Sequence, residues 1–206
     1  MNKILFTGFD PFGGESINPS WEAVVALPAE VDGITIVTAK IPVVFGKSAE
    51  VLLDIVQRER PCAVICVGQA GGRAGITIER VAINCDDVTM ADNDGYTPVD
   101  QPIAADGPAA YFATLPIKAM VENLRQNGIP AAVSNSAGTY VCNHVMYAVL
   151  HHAATHGLPM AAGFVHIPYL PQQVTDKAAS PSMSLEMLTA GLVAMVKTLK
   201  SELGGK

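Results

Sequence analysis

The 206-residue chain is poor in charge and has no basic excess: 16% of its residues are charged and the formal net charge is −6. That balance offers no electrostatic footprint for nucleic acid or for an anionic membrane surface, so neither is expected as a partner. Long apolar runs are missing too. The stretch after Met1-Asn2-Lys3, "ILFTGFDPFGG", is too short for a signal-peptide core or a membrane span, and a cytoplasmic location is expected. Cysteine is sparse. Without a secretory signal, Cys62, Cys66, Cys85 and Cys142 are expected as reduced thiols rather than a disulfide framework. Cys62 and Cys66, in "PCAVICVG", lack C-x-x-C spacing and read as small core hydrophobes.

Most motifs that carry chemistry are also missing or incomplete. "FGKS" at Phe45–Ser48 ends like a phosphate-binding loop, but Ile41 stands where its first glycine is required. "GFDPFGG" lacks the G-x-G-x-x-G spacing of a dinucleotide fold. A calcium loop around Asp92, Asp94 and Gly95 would begin at Met90 and end at Gln101, neither of them a carboxylate. "SNSAG" has Ser134 in place of the first glycine of a serine nucleophile elbow. His152 and His156 have the spacing of a zinc pair, yet Ala153 replaces the glutamate of a zinc protease and no third ligand is apparent.

Half the residues are hydrophobic, which suits a compact globular chain, and their pattern alternates strand with helix. "KILFTGF", "GITIVTAKIPV", "CAVICVG", "PAAVS" and "MAAGFVHIPYL" read as strands, and "ITIERVAIN" as one strand with a polar face. Ser20 is the expected cap of a short helix through "WEAVVAL", and "SAEVLLDIVQRER" has helical spacing. Residues 86–107 read as an irregular excursion, and 108–127 as a helix ending at Asn127-Gly128. Further helices are expected over "CNHVMYAVLHHAATHG" and from about Ser182, with Leu185, Met187, Leu188, Leu192 and Met195 facing the core. Alternation of this kind implies a single-domain three-layer α/β/α sandwich over 1–206, with a mostly parallel twisted central sheet and helices on both faces.

Within that frame Cys142 stands out, following a strand and turn and opening a helix that carries four histidines. Helix geometry rules those four out as its partners. His144 lies ~200° round from Cys142 and His151 ~180°, while His152 and His156 lie ~15 Å and ~21 Å along the axis. The fifth histidine, His166, ends a strand in "AAGFVHIPY". Ligands of open parallel sheets bind outside the carboxyl ends of the strands, where a strand end and a helix start can meet. Backbone N–H groups at the helix start would favour a thiolate and could hold an oxyanion. Pattern alone leaves two readings open, a cysteine hydrolase using Cys142 and His166 or an inert core cysteine beside a structural histidine.

Four stretches bear on that choice. "TGFDPFGGESINPSWEAV", "GQAGGRAGITIERVAIN", "VSNSAGTYVCNHVMY" and "FVHIPYLPQQ", in this order, resemble the pyroglutamyl peptidase I (pyrrolidone-carboxylate peptidase) family nearly end to end. The resemblance implies a cysteine peptidase that removes an N-terminal pyroglutamyl (5-oxoprolyl) residue from peptides through a Cys–His–Glu triad and a thioester, with no metal or organic cofactor. It places the triad on Cys142, His166 and Glu79 and the aromatic walls of the lactam pocket on Phe9 and Phe12. Asn18 and Gln69 are candidate polar contacts for the lactam, and Tyr140 and Val141 a candidate further wall. Glu79 comes from the resemblance alone, since a Glu-Arg pair on a strand is ordinarily just solvated or salt-bridged. Homotetrameric assembly is likewise implied by the family. The other classes considered are a zinc enzyme using His152 and His156, a phosphorylase-like enzyme, and a non-catalytic binder of pyroglutamyl peptides.

Overall fold

The computed structural model describes residues 3–203. A seven-stranded sheet is built from β1 (Lys3–Phe9), β2 (Glu30–Val31), β3 (Ile34–Ile41), β4 (Ala63–Gln69), β5 (Ile76–Glu79), β8 (Ala131–Ser134) and β9 (Ala161–Ile167). Its order is β2-β3-β1-β4-β9-β5-β8. Strands β3, β1, β4 and β9 run parallel; β5 and β8 are parallel to each other, and β5 meets β9 antiparallel. A short ribbon of β6 (Val81–Ile83) and β7 (Ala110–Phe112) pairs antiparallel outside this sheet. The mostly parallel sheet with helices on both faces is the expected architecture.

Near-continuous burial explains the parallel strands: β4 and β9 are buried along almost their whole length, as strands covered on both faces must be. One face packs against α1 (Pro19–Val25), α3 (Ile117–Gln126) and α5 (Leu185–Leu203) through Val24, Met120, Leu124, Leu188 and Leu192. The other packs against α2 (Lys47–Glu59) and α4 (Val141–Thr155) through Leu52, Val145, Met146 and Val149. Cys66 is buried in that second core, as its strand reading implies.

Four local expectations are corrected. Asn18, not Ser20, caps α1: its Oδ1 accepts from the Ser20 backbone N–H at 3.1 Å, and Pro19 takes the first helical position where no N–H is needed. "ITIERVAIN" is two strands, because the chain leaves the sheet after Glu79 and pairs instead with β7. Residues 110–112 are that partner strand, so the helix expected over 108–127 starts only after Pro116. In α5, Leu188, Leu192 and Met195 face the core but Met187 is 40% exposed.

Candidate active site

The carboxyl ends of β4 and β9, the antiparallel strand β5 beside them and the start of α4 meet at one site. Gly68 near the end of β4 pairs across the ladder with His166 of β9, and Thr77 of β5 pairs with His166 from the other side. Paired residues of neighbouring strands project to the same face, so His166 and Glu79 share the face covered by α4. Cys142 is the second residue of α4 and stands directly over Gly68. A β-carbon at Gly68 would lie 3.1 Å from the Cys142 Sγ and 2.7 Å from the Phe164 ring, so only glycine leaves room for both. The Phe164 and His166 rings are 4.8 Å apart on the same strand.

His166 is buried, and its Nδ1 lies 2.7 Å from Oε1 of Glu79, whose side chain is 0% exposed. An ionised carboxylate only accepts, so the contact fixes the imidazole proton on Nδ1 and leaves Nε2 with a free lone pair. Burial works to raise the Glu79 carboxyl, but the hydrogen bond and charge of His166, with further hydrogen bonds including that from Arg73, hold it below the ordinary carboxylate value. Burial lowers His166 despite the opposing pull of Glu79. Burial, and secondarily the Glu79 charge, pushes the Cys142 thiol up to about 12. Both shifts favour the neutral thiol and the neutral imidazole over the charge-separated pair.

Arg73 is a contact that sequence reasoning missed. Its Nη1 donates to Glu79 Oε1 at 2.7 Å and also to Thr77 Oγ1. The neighbouring Arg80 turns away, donating through Nε to Asn135 Oδ1 at 2.8 Å. No local pattern distinguishes the two arginines, because the turn before β5 decides which one reaches the carboxylate.

The remaining candidates divide into two groups. Phe9 and Val141 are buried in the same core as Phe164, and Phe12, Tyr140 and Cys142 pack against it. The Phe9 ring is 6.1 Å from Phe164, and Phe12 is 6.2 Å from Tyr140, which in turn meets Phe45 edge-on at 5.6 Å. These aromatics and Cys142 belong to one apolar cluster on the α4 face of the sheet. Asn18 and Gln69 are committed elsewhere in part. Asn18 is 2% exposed; its Oδ1 caps α1 and its Nδ2 donates to the Asp10 carbonyl at 2.9 Å. Gln69 accepts at Oε1 from Gln173 Nε2 at 3.0 Å. That bond orients the Gln69 amide.

The three histidines of α4 and His156, which follows its last residue, lie elsewhere. His144 pairs its Nδ1 with Asp86 at 2.7 Å and accepts the Gly46 N–H at Nε2; His151 meets the Tyr111 hydroxyl at 3.0 Å; His152 and His156 face each other at the far end of the helix. Among the described residues, no group of three or more His, Cys, Asp or Glu is placed to hold a metal ion, and no helix is long and apolar enough to cross a membrane. A thiol, an imidazole and a carboxylate on one face of the sheet, beside an uncapped helix start, are the components of nucleophilic acyl transfer.

A family model described as pyroglutamyl peptidase matches residues 2–202. Pyrrolidone-carboxylate peptidase of Thermosipho africanus is 56% identical over 200 residues, covering 97% of this chain and 98% of its own. That of Alkaliphilus oremlandii is 54% identical over 194 residues, covering 94% and 91%. Among solved structures, pyroglutamyl peptidase I of Bacillus amyloliquefaciens superposes with a TM-score of 0.93 at 48% identity, covering 98% of both chains. Pyrrolidone carboxyl peptidase of Thermococcus litoralis gives a TM-score of 0.96 at 40% identity, covering 100% of this chain and 96% of that one.

Proposed function

The chain belongs to the pyroglutamyl peptidase family of hydrolases, and from that premise we propose that it removes N-terminal pyroglutamyl residues from peptides with Cys142, His166 and Glu79. The observation that carries this reading is the Cys142 Sγ over Gly68, with the ladder partner of that glycine, His166, hydrogen-bonded to a fully buried Glu79. Residues 1–206 are read as one catalytic domain.

Burial favours the neutral form of both groups, and His166 Nε2 takes the thiol proton as the sulfur attacks the pyroglutamyl carbonyl carbon. Free N–H groups at the start of α4, where Tyr140 provides no side-chain cap, are suited to receive the oxyanion. The carbon–nitrogen bond breaks, and His166 passes its proton to the departing amine. Water then adds to the thioester as His166 takes a second proton; the carbon–sulfur bond breaks, releasing pyroglutamate and returning the proton to Cys142. Glu79 holds the ring and stabilises its charged form at both stages. Phe9, Phe12, Tyr140 and Val141 supply the apolar slot for a flat, uncharged lactam and Gln69 a polar contact at its edge, whereas Asn18, expected there too, is buried with both ends of its amide engaged by Asp10 and Ser20 and serves the loop instead.

Cleavage of a fluorogenic pyroglutamyl amide tests this directly. Turnover is expected to be blocked by iodoacetamide, abolished by Cys142→Ala and His166→Ala, and insensitive to EDTA. Turnover surviving Cys142→Ala overturns the mechanism, and EDTA inhibition without thiol sensitivity replaces it with a metal enzyme. The family resemblance also supports a homotetramer; a solution mass by light scattering near four times the 21.6 kDa chain is expected, and a monomer mass refutes that assembly.

A further inference from the structure

We propose that Arg73 is a positioning residue of this site, holding the Glu79 carboxylate in register for His166 and offsetting its charge where the thiol and imidazole exchange a proton. The inference rests on the Cys142–His166 reading above and adds a fourth member to it.

The geometry begins with the loop "GQAGGRAG". Gly72 adopts a left-handed φ of +86°, and the Arg73 N–H closes a turn onto the Ala70 carbonyl at 3.3 Å. That reversal sends the Arg73 side chain back along β5, where a single nitrogen reaches both Thr77 and Glu79. The Glu79 oxygen that it contacts, Oε1, is the one that receives His166 Nδ1. Two donors on one oxygen fix the carboxylate more firmly than either alone, and Thr77 fixes Nη1 in turn. Arg73 itself is only partly buried, with 33% of its side chain exposed, so its charge is retained at small desolvation cost while Glu79 is wholly enclosed.

The charge acts beyond the contact. The titratable and charged groups around His166 are Glu79 on β5, Arg73 on the preceding loop, Cys142 on α4 and, behind the thiol, Cys66 on β4. Glu79 favours the protonated imidazole and disfavours the thiolate, whereas Arg73 does the reverse at both groups. An isolated carboxylate would stabilise imidazolium in the free site and spoil the base. Paired with Arg73, it can orient the ring while leaving Nε2 free.

Arg73→Gln and Arg73→Lys separate this role from simple packing, with folding checked by circular dichroism. Two readouts are used: the pH profile of kcat/KM on a pyroglutamyl amide, and the rate of iodoacetamide alkylation at Cys142 followed by peptide mass. In Arg73→Gln the acid limb of the profile is expected to move upward by roughly half a pH unit or more, with alkylation at fixed pH slowed roughly threefold or more. Arg73→Lys should restore most of both, because it keeps the charge. Coincidence of the Arg73→Gln profiles with wild type overturns the proposal. So does slower turnover with neither readout displaced and no rescue by lysine, which marks a purely structural residue. If wild type cleaves no pyroglutamyl amide, the functional reading falls, and alkylation alone still decides the role of Arg73.

Discussion

Glu79 is the residue on which the chemistry of the site turns, because it is an ionised group with no exposed surface. Such a group is tolerated only when it is paired and hydrogen-bonded, and its two partners pull the chemistry in opposite directions. His166 uses the carboxylate to favour imidazolium, and Arg73 limits that effect. Replacing Glu79 with Gln keeps an oxygen acceptor in place and removes the charge. Without the charge His166 holds its proton less well, so the acid limb of kcat/KM, expected below 6.5 in wild type because His166 is already lowered, should move lower still. Turnover should also fall, by about 10²-fold or more, because the ring loses the partner that stabilises its charged form. A pH–rate profile of Glu79→Gln with the limb moved upward, or with kcat within about threefold of wild type, would be incompatible with this assignment. The role of Glu79 was not legible from its own segment, where it reads as half of a solvated Glu-Arg pair. The ion pair is real but formed with Arg73, six residues earlier, through a turn that no periodicity marks.

At the scale of elements, the sequence is informative wherever one strand or helix carries a continuous pattern. Strands β1, β4 and β9 are legible because burial on both faces requires unbroken apolar runs. The break after Glu79 is illegible because Val81 and Ile83 continue the alternation, while the partner that captures them lies about thirty residues on, in a segment whose alanines look helical. Asn143 completes that departure. Its Oδ1 accepts the Ile83 N–H at 2.9 Å and its Nδ2 donates to the Ile83 and Cys85 carbonyls, tying the strand to α4 one residue past the cysteine. Helix rotation correctly sends His144 away from Cys142, but it cannot say what His144 meets. The structure gives it Asp86 and the Gly46 N–H, and sets Phe45 edge-on to both His144 and Tyr140. The α4 histidines thus include one that braces the aromatic cluster beside Cys142. The same helix end that presents the thiol organises its surroundings.

For the whole molecule, the site is also a stability device, because its protons are linked to folding. Glu79 titrates lower in the folded chain than its ordinary value, so its contribution is present above about 4.5 and is lost as pH falls through the folded value. His166 is lowered from 6.5, so the unfolded chain takes up its proton first, and stability drains as pH falls below 6.5. Both act in the same direction. Thiol, imidazole and carboxylate come from α4, β9 and β5, and β5 joins β9 antiparallel through only two paired positions, Thr77–His166 and Ile78–Val165. Protonating the buried dyad therefore strikes the seam between the parallel block and the β5–β8 pair. The urea midpoint is expected to fall between pH 7 and pH 5, with a His166 share of at most about 2 kcal/mol, the ceiling for a group that unfolds to a value near 6.5. His166→Asn, which retains an amide donor toward Glu79 and cannot titrate, should flatten that part of the fall. Urea melts at the two pH values decide the matter: equal losses in wild type and His166→Asn would mean that the acid sensitivity of the fold lies elsewhere.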